Sequence, residues 1–164
     1  MSPINTVNTI EELYIEQLKD LYSAEIQLVN ALHEMACAAT HPRLKEGFTH
    51  HMEETRVHVE RLEEILASHH TKGNGRTCRP IECIINGSRE LISEEAPHEV
   101  KDAGLLMSAQ LAESYEIAGY GCVQSYARML GDRKGMELLQ KTLDEESVTN
   151  ARFLNDSHEM YESN

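Results

Sequence analysis

The sequence predicts an all-α protein built on an antiparallel four-helix bundle, and three observations support this class. The 164 residues, 40% apolar and 26% charged, form an ordinary globular mixture that is long enough for one domain, residues 1–164, with a substantial core. Aromatic residues make up only 5% and Trp is absent, which favours helices over strands. Apolar residues also recur at spacings of three and four along four long segments, which is typical of amphipathic helices.

The first two helices are predicted at about 9–39 and 42–70. Thr9, followed by two glutamates, is typical of a helix start, because it offers a capping oxygen and an acidic first turn. The break at residues 40–42 leaves only a short connection, which implies antiparallel neighbours. The core-facing positions of the first helix are Leu18, Leu21, Glu25, Leu28, Leu32 and Met35. Those of the second are Leu44, Phe48, His51, Thr55, His58, Leu62 and Ile65.

A long crossover leads to the second pair of helices. Residues 71–80 contain two glycines and a proline without apolar periodicity, so they are predicted to be exposed, and a short extra helix is predicted at about 81–95. Pro97 suits the first position of the next long helix, 97–130, and a final helix covers about 133–160. Two helical pairs joined by one long crossover form the ferritin-like version of the four-helix bundle.

Three carboxylates interrupt the predicted apolar faces of this bundle: Glu25, Glu116 and Glu146. Several buried carboxylates cannot all stay ionised without a cation. Bundles that bind two iron or manganese ions take one Glu from each of two helices and a Glu-x-x-His motif from each of the other two. The sequence therefore predicts a site for two divalent ions, iron or manganese, in the core.

The ligands on the second helix are harder to choose. The halves of the chain are weakly similar, with Glu25 matching Glu116 and the Glu54/His58 pair matching Glu146 and Asn150. The residue three positions before His58 is Thr55, which fits the apolar face better, whereas Glu54 is four positions before it. The sequence is compatible with either Thr55 or Glu54 facing the site.

The complete predicted set has six ligands and four weaker candidates. The ligands are Glu25, Glu54, His58, Glu113, Glu116 and Glu146, and the weaker candidates are His51, Asn150, Tyr22 and Tyr120. Glu113 is included because it lies one helical turn before Glu116. A single Glu on an apolar face is more often a hydrogen-bonded boundary residue, so the prediction depends on the set as a whole. No catalytic residue is assigned.

Net charge and cysteine content further limit the classes of function that the chain can have. Fifteen basic residues against 28 acidic ones give a net charge of −13, which disfavours binding to nucleic acid or to anionic membranes. No window approaches the roughly 18 apolar residues of a membrane span. The four cysteines form no Cys-x-x-Cys pair, and Cys37 and Cys122 are expected to act as small apolar residues. These features predict a cytoplasmic, reduced protein.

Three segments, residues 12–25, 51–63 and 113–121, together resemble the YciF/YciE-like family of ferritin-like bacterial stress proteins. The resemblance extends over residues 9–155. It implies a rubrerythrin-like four-helix bundle with an extra short helix, a homodimer and expression under stress, but no assigned reaction.

The segment from Glu113 to Glu116 is also similar to the Glu-x-Tyr-Glu segment that supplies two iron ligands in rubrerythrin. The chain departs from its family at two positions. Ser114 replaces a frequent His, and Asn150 replaces a frequent Asp, which removes one negative ligand.

These observations leave three hypotheses. The first is a dimetal-carboxylate protein whose metal pair reacts with peroxide or oxygen, with an activity of the di-iron oxidase or peroxidase type. The second is a metal-free or weakly metal-binding helical dimer that acts in stress through a protein partner. The third, a DNA-protecting miniature ferritin cage, is disfavoured because the chain is acidic and has no basic tail.

Overall fold

The computed structural model describes residues 7–161, and its helices begin and end close to the capping signals of the sequence. The helices are α1 (Ile10–Ala38), α2 (Pro42–Ser68), α3 (Arg79–Ser93), α4 (His98–Leu130) and α5 (Arg133–Tyr161). Every boundary lies within two residues of its predicted position. The Thr9 hydroxyl accepts a hydrogen bond from the backbone N–H of Glu12, whose carboxylate accepts one from the Thr9 backbone. At the end of α4, Gly131 has a φ of 74°, a left-handed conformation that favours glycine.

The four long helices form a closed ring, which confirms the predicted fold class. α1 packs against α2, α2 against α5, α5 against α4, and α4 against α1. The short helix α3 lies in the crossover and covers α1 and α4. Within residues 7–161, none of the helices combines the length and the apolar composition that a membrane crossing requires.

The core contains two apolar clusters with buried polar side chains between them. The first cluster includes Leu28, Met35, Phe48, Leu105 and Phe153, and the second includes Leu18, Leu62, Tyr120, Val123 and Leu139. Between them along the helices lies a polar layer that consists of Glu25, His51, Thr55, His58, Glu113, Glu116, Thr142, Glu146 and Thr149. All four long helices contribute to this layer, and it contains the carboxylates that the sequence predicts in the core.

The crossover is less exposed than its composition predicted. Arg76 pairs with Asp20 of α1 at 3.0 Å, and the backbone N–H of Cys78 donates a hydrogen bond to the Ser23 hydroxyl at 2.9 Å. Cys78 is fully buried, whereas Cys37 and Cys122 are exposed, so the expectation that these two thiols pack as apolar residues was wrong. Composition missed this docking because the anchoring groups belong to another helix.

Candidate metal centre

The polar layer is built from two halves of the chain that repeat with one constant offset. Glu116 follows Glu25 by the same 91 residues by which Glu146 follows Thr55. Every buried residue of α5 lies 91 residues after a buried residue of α2. Thr55 is therefore the counterpart of Glu146, and Thr149 is the counterpart of His58. The alignment suggested by sequence, which paired Glu54 with Glu146, was shifted by one residue.

Thr55, and not Glu54, is the residue of α2 that faces the layer. Thr55 is fully buried and its hydroxyl donates a hydrogen bond to the backbone carbonyl of His51 at 2.8 Å. Glu54 lies at the edge of the layer with 25% of its side chain exposed, and its Oε2 accepts a hydrogen bond from Thr149 at 3.1 Å. Asn150 is half-buried outside the layer. Among the described residues, Glu54 belongs to neither cluster of His and Glu atoms that could hold a cation.

The first donor group consists of His51, Glu113, Glu116 and Glu146. Each of these four residues offers one ligand atom, and the four atoms lie within 4.8 Å of one another. Nε2 of His51 lies 2.7 Å from Oε1 of Glu113 and 3.9 Å from Oε2 of Glu146. His51 was only a weaker candidate in the sequence, yet it belongs to this group. The available signal was its position seven residues before His58, which puts both on one face of α2.

The second donor group consists of Glu25, His58 and Glu146, with ligand atoms that meet the same 4.8 Å limit. Nδ1 of His58 lies 2.8 Å from Oε1 of Glu146 and 3.5 Å from Oε1 of Glu25. Because Glu146 belongs to both groups, the two groups are adjacent. Five of the six ligands predicted from sequence therefore come together, and His51 joins them.

Several carboxylate oxygens that could bind a metal ion have no hydrogen-bond partner among the described residues. They include both carboxylate oxygens of Glu116, Oε2 of Glu25 and Oε2 of Glu113. Buried polar atoms are almost always paired, so a cluster of unpaired carboxylate oxygens calls for a cation or protons. Carboxylates with imidazole suit iron and manganese. The residues present thus fit a metal ion in each donor group.

Charge within the layer is partly balanced by the histidines. Burial would lower the pKa of His58, but hydrogen bonding to Glu146 and Glu25 and their charges outweigh it and raise this pKa to about 10. Burial would raise the pKa of Glu146, but His58 and His51 lower it to about 2. These two residues therefore form an ion pair at neutral pH.

The other carboxylates of the layer have raised pKa values. Burial raises the pKa of Glu113 to about 8, although His51 opposes this shift. Burial and the charges of neighbouring carboxylates raise the pKa of Glu116 well above its ordinary value. Burial also raises the pKa of Glu25. A cation bound beside these groups would replace their protons.

Of the two candidate tyrosines, Tyr120 contacts a carboxylate of the layer and Tyr22 does not. Tyr120 is fully buried, and its hydroxyl donates a short hydrogen bond to Oε1 of Glu25. This contact orients the carboxylate and leaves its Oε2 unpaired. Tyr22 takes no part, because its hydroxyl donates to Glu63 at 2.9 Å and its ring packs over Gly73 of the crossover.

An outer contact of His58 was not foreseen from sequence. Its Nε2 lies 2.9 Å from Oε2 of Glu145, a partly exposed carboxylate. Arg61 donates two hydrogen bonds to the same carboxylate, at 2.6 and 2.9 Å. The only sequence signal was Arg61 one turn after His58, which does not identify its partner on α5.

A closed ring of four long helices around a layer of Glu and His side chains defines a ferritin-like helical bundle with a candidate two-cation centre. Residues 9–160 match the model of the family described as "Domain of unknown function (DUF892)". The chain belongs to this family, and its predicted similarity to YciF is confirmed by the relatives that follow.

The chain is 39% identical over 148 residues to protein YciF of Escherichia coli (strain K12), covering 90% of this chain and 89% of YciF. The crystal structure of the E. coli stress protein YciF superposes with a TM-score of 0.92 at 36% identity, covering 96% of this chain and all of that one. The structure of YcfI from Rhodopseudomonas palustris gives a TM-score of 0.87 at 35% identity, covering 92% of this chain and 96% of the other.

Proposed function

We propose that the polar layer binds two divalent cations, iron or manganese, and that the protein reacts with peroxide or oxygen at this centre. The observation that carries the proposal is the set of unpaired carboxylate oxygens, above all both oxygens of Glu116, in a buried layer that also contains His51 and His58. The similarity to a protein described as a stress protein supports a role in stress response. Free cysteines throughout the described chain suit the reducing cytoplasm.

The two donor groups are unequal. His51, Glu113, Glu116 and Glu146 provide four donors, three of them carboxylates, whereas Glu25, His58 and Glu146 provide three donors. The first group should therefore bind a cation more tightly, and the second should leave more coordination positions open for a small oxidant. Glu146 belongs to both groups and would serve as a ligand in each of them.

Reduced iron or manganese would supply electrons to a peroxide or oxygen molecule and polarise it. The protein's own groups supply orientation. Tyr120 fixes Glu25 through one oxygen and leaves the other free for a ligand. His58 would bind an ion through Nδ1, the nitrogen that faces Glu146, and the contact of its Nε2 with the partly exposed Glu145 holds the ring in that orientation. The apolar clusters on both sides limit the access of water.

The test is a count of bound Mn(II) on protein first stripped with chelator. We expect two ions per wild-type chain. Glu113→Gln should weaken binding to the first group at least about tenfold while the second group still binds, and Glu146→Gln should weaken both. Glu54→Gln, at the edge of the layer, should still bind two ions, as should the exposed control Glu53→Gln on the same helix.

A second function is favoured by the histidines themselves. His51 and His58 both have raised pKa values, so two imidazolium groups balance the carboxylates even without a cation. In this alternative the protein is a metal-free or weakly metal-binding helical dimer that acts in stress through an unidentified protein partner. If wild-type protein binds less than one Mn(II) per chain and does not differ from Glu146→Gln, this alternative replaces the first proposal.

A further inference from the structure

A small cavity lies inside the bundle beneath the short helix α3. Residues of α1, α2, α3 and α4 line it, and α3 packs across α1 and α4 on its outer side. Eight of its twelve lining residues are apolar and two are serines. The remaining two are His51 and Glu113, which belong to the first donor group. The cavity therefore extends from the inner face of α3 to the candidate metal centre.

Small side chains leave this space open. Ala31 of α1 and Ala109 and Ala112 of α4 line the cavity, and all three are buried. Protein cores are packed so densely that such spaces are few. The volume of about 10 Å³ suits one molecule of about the size of water. Apolar cavities stay dry and take apolar guests, so water is not the occupant that this lining favours.

The polar groups of the lining are concentrated at its inner end. The hydroxyls of Ser88 and Ser108 donate their hydrogen bonds to the backbone carbonyls of Ile85 and Gly104, at 2.8 and 3.0 Å, so neither offers a donor to a guest. At the inner end Glu113 is buried, and its Oε2 has no hydrogen-bond partner among the described residues. A guest therefore enters apolar surroundings and meets an unpaired ligand atom of the first donor group.

This lining selects dioxygen among the small oxidants. Dioxygen is apolar and uncharged, so it gives up no hydrogen bonds when it leaves water. Hydrogen peroxide would lose hydrogen bonds to water that the apolar side chains do not replace. Superoxide is an anion and would approach a layer of carboxylates in an acidic protein. We propose that this cavity binds dioxygen and delivers it to the first donor group, an inference that rests on the proposed function and narrows its oxidant.

Ile84 of α3 forms the mouth of the cavity. Of the residues that line it, all within the described part of the chain, only Ile84 is partly exposed, and the others are buried. The route from solvent to the centre therefore passes this side chain and ends at Glu113. Because the two donor groups share Glu146, dioxygen delivered at the first group is also next to the second, which has more open coordination positions.

The reaction that this site would supply needs no reductant besides the metal pair. One dioxygen molecule takes one electron from each of two Fe(II) ions and two protons from solvent, and it becomes hydrogen peroxide. Both ions are left as Fe(III). The oxidation of bound Fe(II) is therefore a direct measure of how fast dioxygen reaches the centre.

Dioxygen itself is the probe for the binding site. Its unpaired electrons speed the magnetic relaxation of nearby protons, so NMR of the metal-free full chain under dissolved dioxygen reports where it binds. The methyl protons of Leu28 and Leu32 should relax at least about threefold faster than those of Leu18 and Leu62, which are similarly buried in the second apolar cluster. Ala109→Leu, which fills the cavity, should abolish this difference. Equal relaxation in the two clusters of wild-type protein would overturn the proposal.

Stopped-flow oxidation of the chain loaded with Fe(II) under anaerobic conditions tests the delivery of dioxygen. Ile84→Trp, which narrows the mouth, should slow oxidation by dioxygen at least about tenfold, whereas Ile84→Ala should not slow it. Ile92→Ala is the matched control, because Ile92 is a partly buried isoleucine of the same helix that does not line the cavity. It should leave the rate unchanged. Unchanged oxidation of Ile84→Trp, or equal slowing of Ile84→Ala and Ile92→Ala, would contradict this route.

Hydrogen peroxide as the oxidant tests the selection of dioxygen. It should oxidise the Fe(II) of wild-type protein and of Ile84→Trp at equal rates, because it does not use the apolar cavity. If Ile84→Trp slows both oxidants equally, the assignment of the cavity to dioxygen is wrong.

The number of bound Mn(II) ions separates this cavity from the metal centre. Ile84→Trp should bind two Mn(II) ions like wild-type protein, which also shows that the layer is intact. If wild-type protein binds no Mn(II), the proposed function fails, and the relaxation of the metal-free protein still tests the cavity. If it binds two ions but its two apolar clusters relax equally under dioxygen, the centre remains and the cavity site is excluded.

Discussion

Thr55 and Thr149 are the residues that make the polar layer unsymmetrical. α2 contains His58 without a carboxylate three residues before it, and α5 contains Glu146 without a histidine three residues after it. Each helix therefore has half of a Glu-x-x-His motif. His51, from α2, compensates by adding an imidazole to the group around Glu146. The layer thus offers two unlike donor groups instead of a symmetric pair.

Replacing Thr55 with Glu should complete the motif on α2. We expect Thr55→Glu to tighten Mn(II) binding by the second donor group at least about tenfold, because a carboxylate is added beside His58. In chelator the same variant should lose about 2–4 kcal/mol of unfolding free energy, since one more carboxylate is buried without a partner. Isothermal titration and urea denaturation measure the two effects. Thr55→Gln, of similar size but uncharged, is the control and should not gain affinity.

At the scale of helices, one carboxylate of α4 anchors the turn between α1 and α2. Asp102 is buried, and its Oδ1 accepts a hydrogen bond from the backbone N–H of Thr40 at 2.8 Å. Its Oδ2 accepts hydrogen bonds from the Thr40 hydroxyl at 2.7 Å and the His41 backbone N–H at 2.8 Å. This contact positions the start of α2, and therefore the height of His51 and His58 in the bundle.

Asp102→Ala should lower the unfolding free energy by about 2–4 kcal/mol, because it leaves two backbone donors at the turn without their charged acceptor. Urea denaturation followed by circular dichroism measures the change. Glu90→Ala, which removes an exposed carboxylate from α3, should change the free energy by less than about 0.5 kcal/mol. Equal effects of the two substitutions would show that the turn does not depend on Asp102.

For the whole molecule, the layer links folding stability to pH. His58 has a pKa raised to about 10 in the folded protein. Its contribution to the unfolding free energy is therefore complete below the ordinary histidine pKa and is lost as the pH rises through 10. Glu113, with a pKa raised to about 8, must give up a buried proton as pH rises from its ordinary value through 8, which also lowers stability. Glu146 affects stability at acidic pH. Its lowered pKa stabilises the fold at pH values above the ordinary glutamate pKa, and this stabilisation is lost as the pH falls toward 2.

The metal-free protein should therefore be most stable near pH 5–6 and lose several kcal/mol of unfolding free energy by about pH 9. With saturating Mn(II) the stability should instead rise over the same interval, because the ligands bind the ion in their deprotonated forms. Urea denaturation across this pH series, with and without Mn(II), measures both trends. Glu113→Gln removes one titrating group and should flatten the alkaline loss. A metal-free wild type with constant stability from pH 5 to 9 would contradict this account.

Local sequence was enough to predict the helices and most of the polar layer. The spacing of apolar residues and the caps at Thr9 and Gly131 depend on neighbours along the chain, so the helix boundaries could be predicted within two residues. Glu25 and Glu116 could be placed inside for the same reason, since the period of a helix fixes which residues share a face. The homodimer and the cytoplasmic location stay predictions.

Tertiary packing determines that Thr55, and not Glu54, faces the polar layer. It also brings His51 into contact with Glu113. Glu54 and Thr55 both lie at spacings that put them on the face of His58, and the rotation of α2 that separates them depends on how its side chains interlock with those of α5. The 2.7 Å contact between His51 and Glu113 joins α2 to α4, two helices that are not adjacent in the ring. The periodicity of one helix does not determine the position of another helix along the bundle axis. These contacts are therefore fixed only in the assembled bundle.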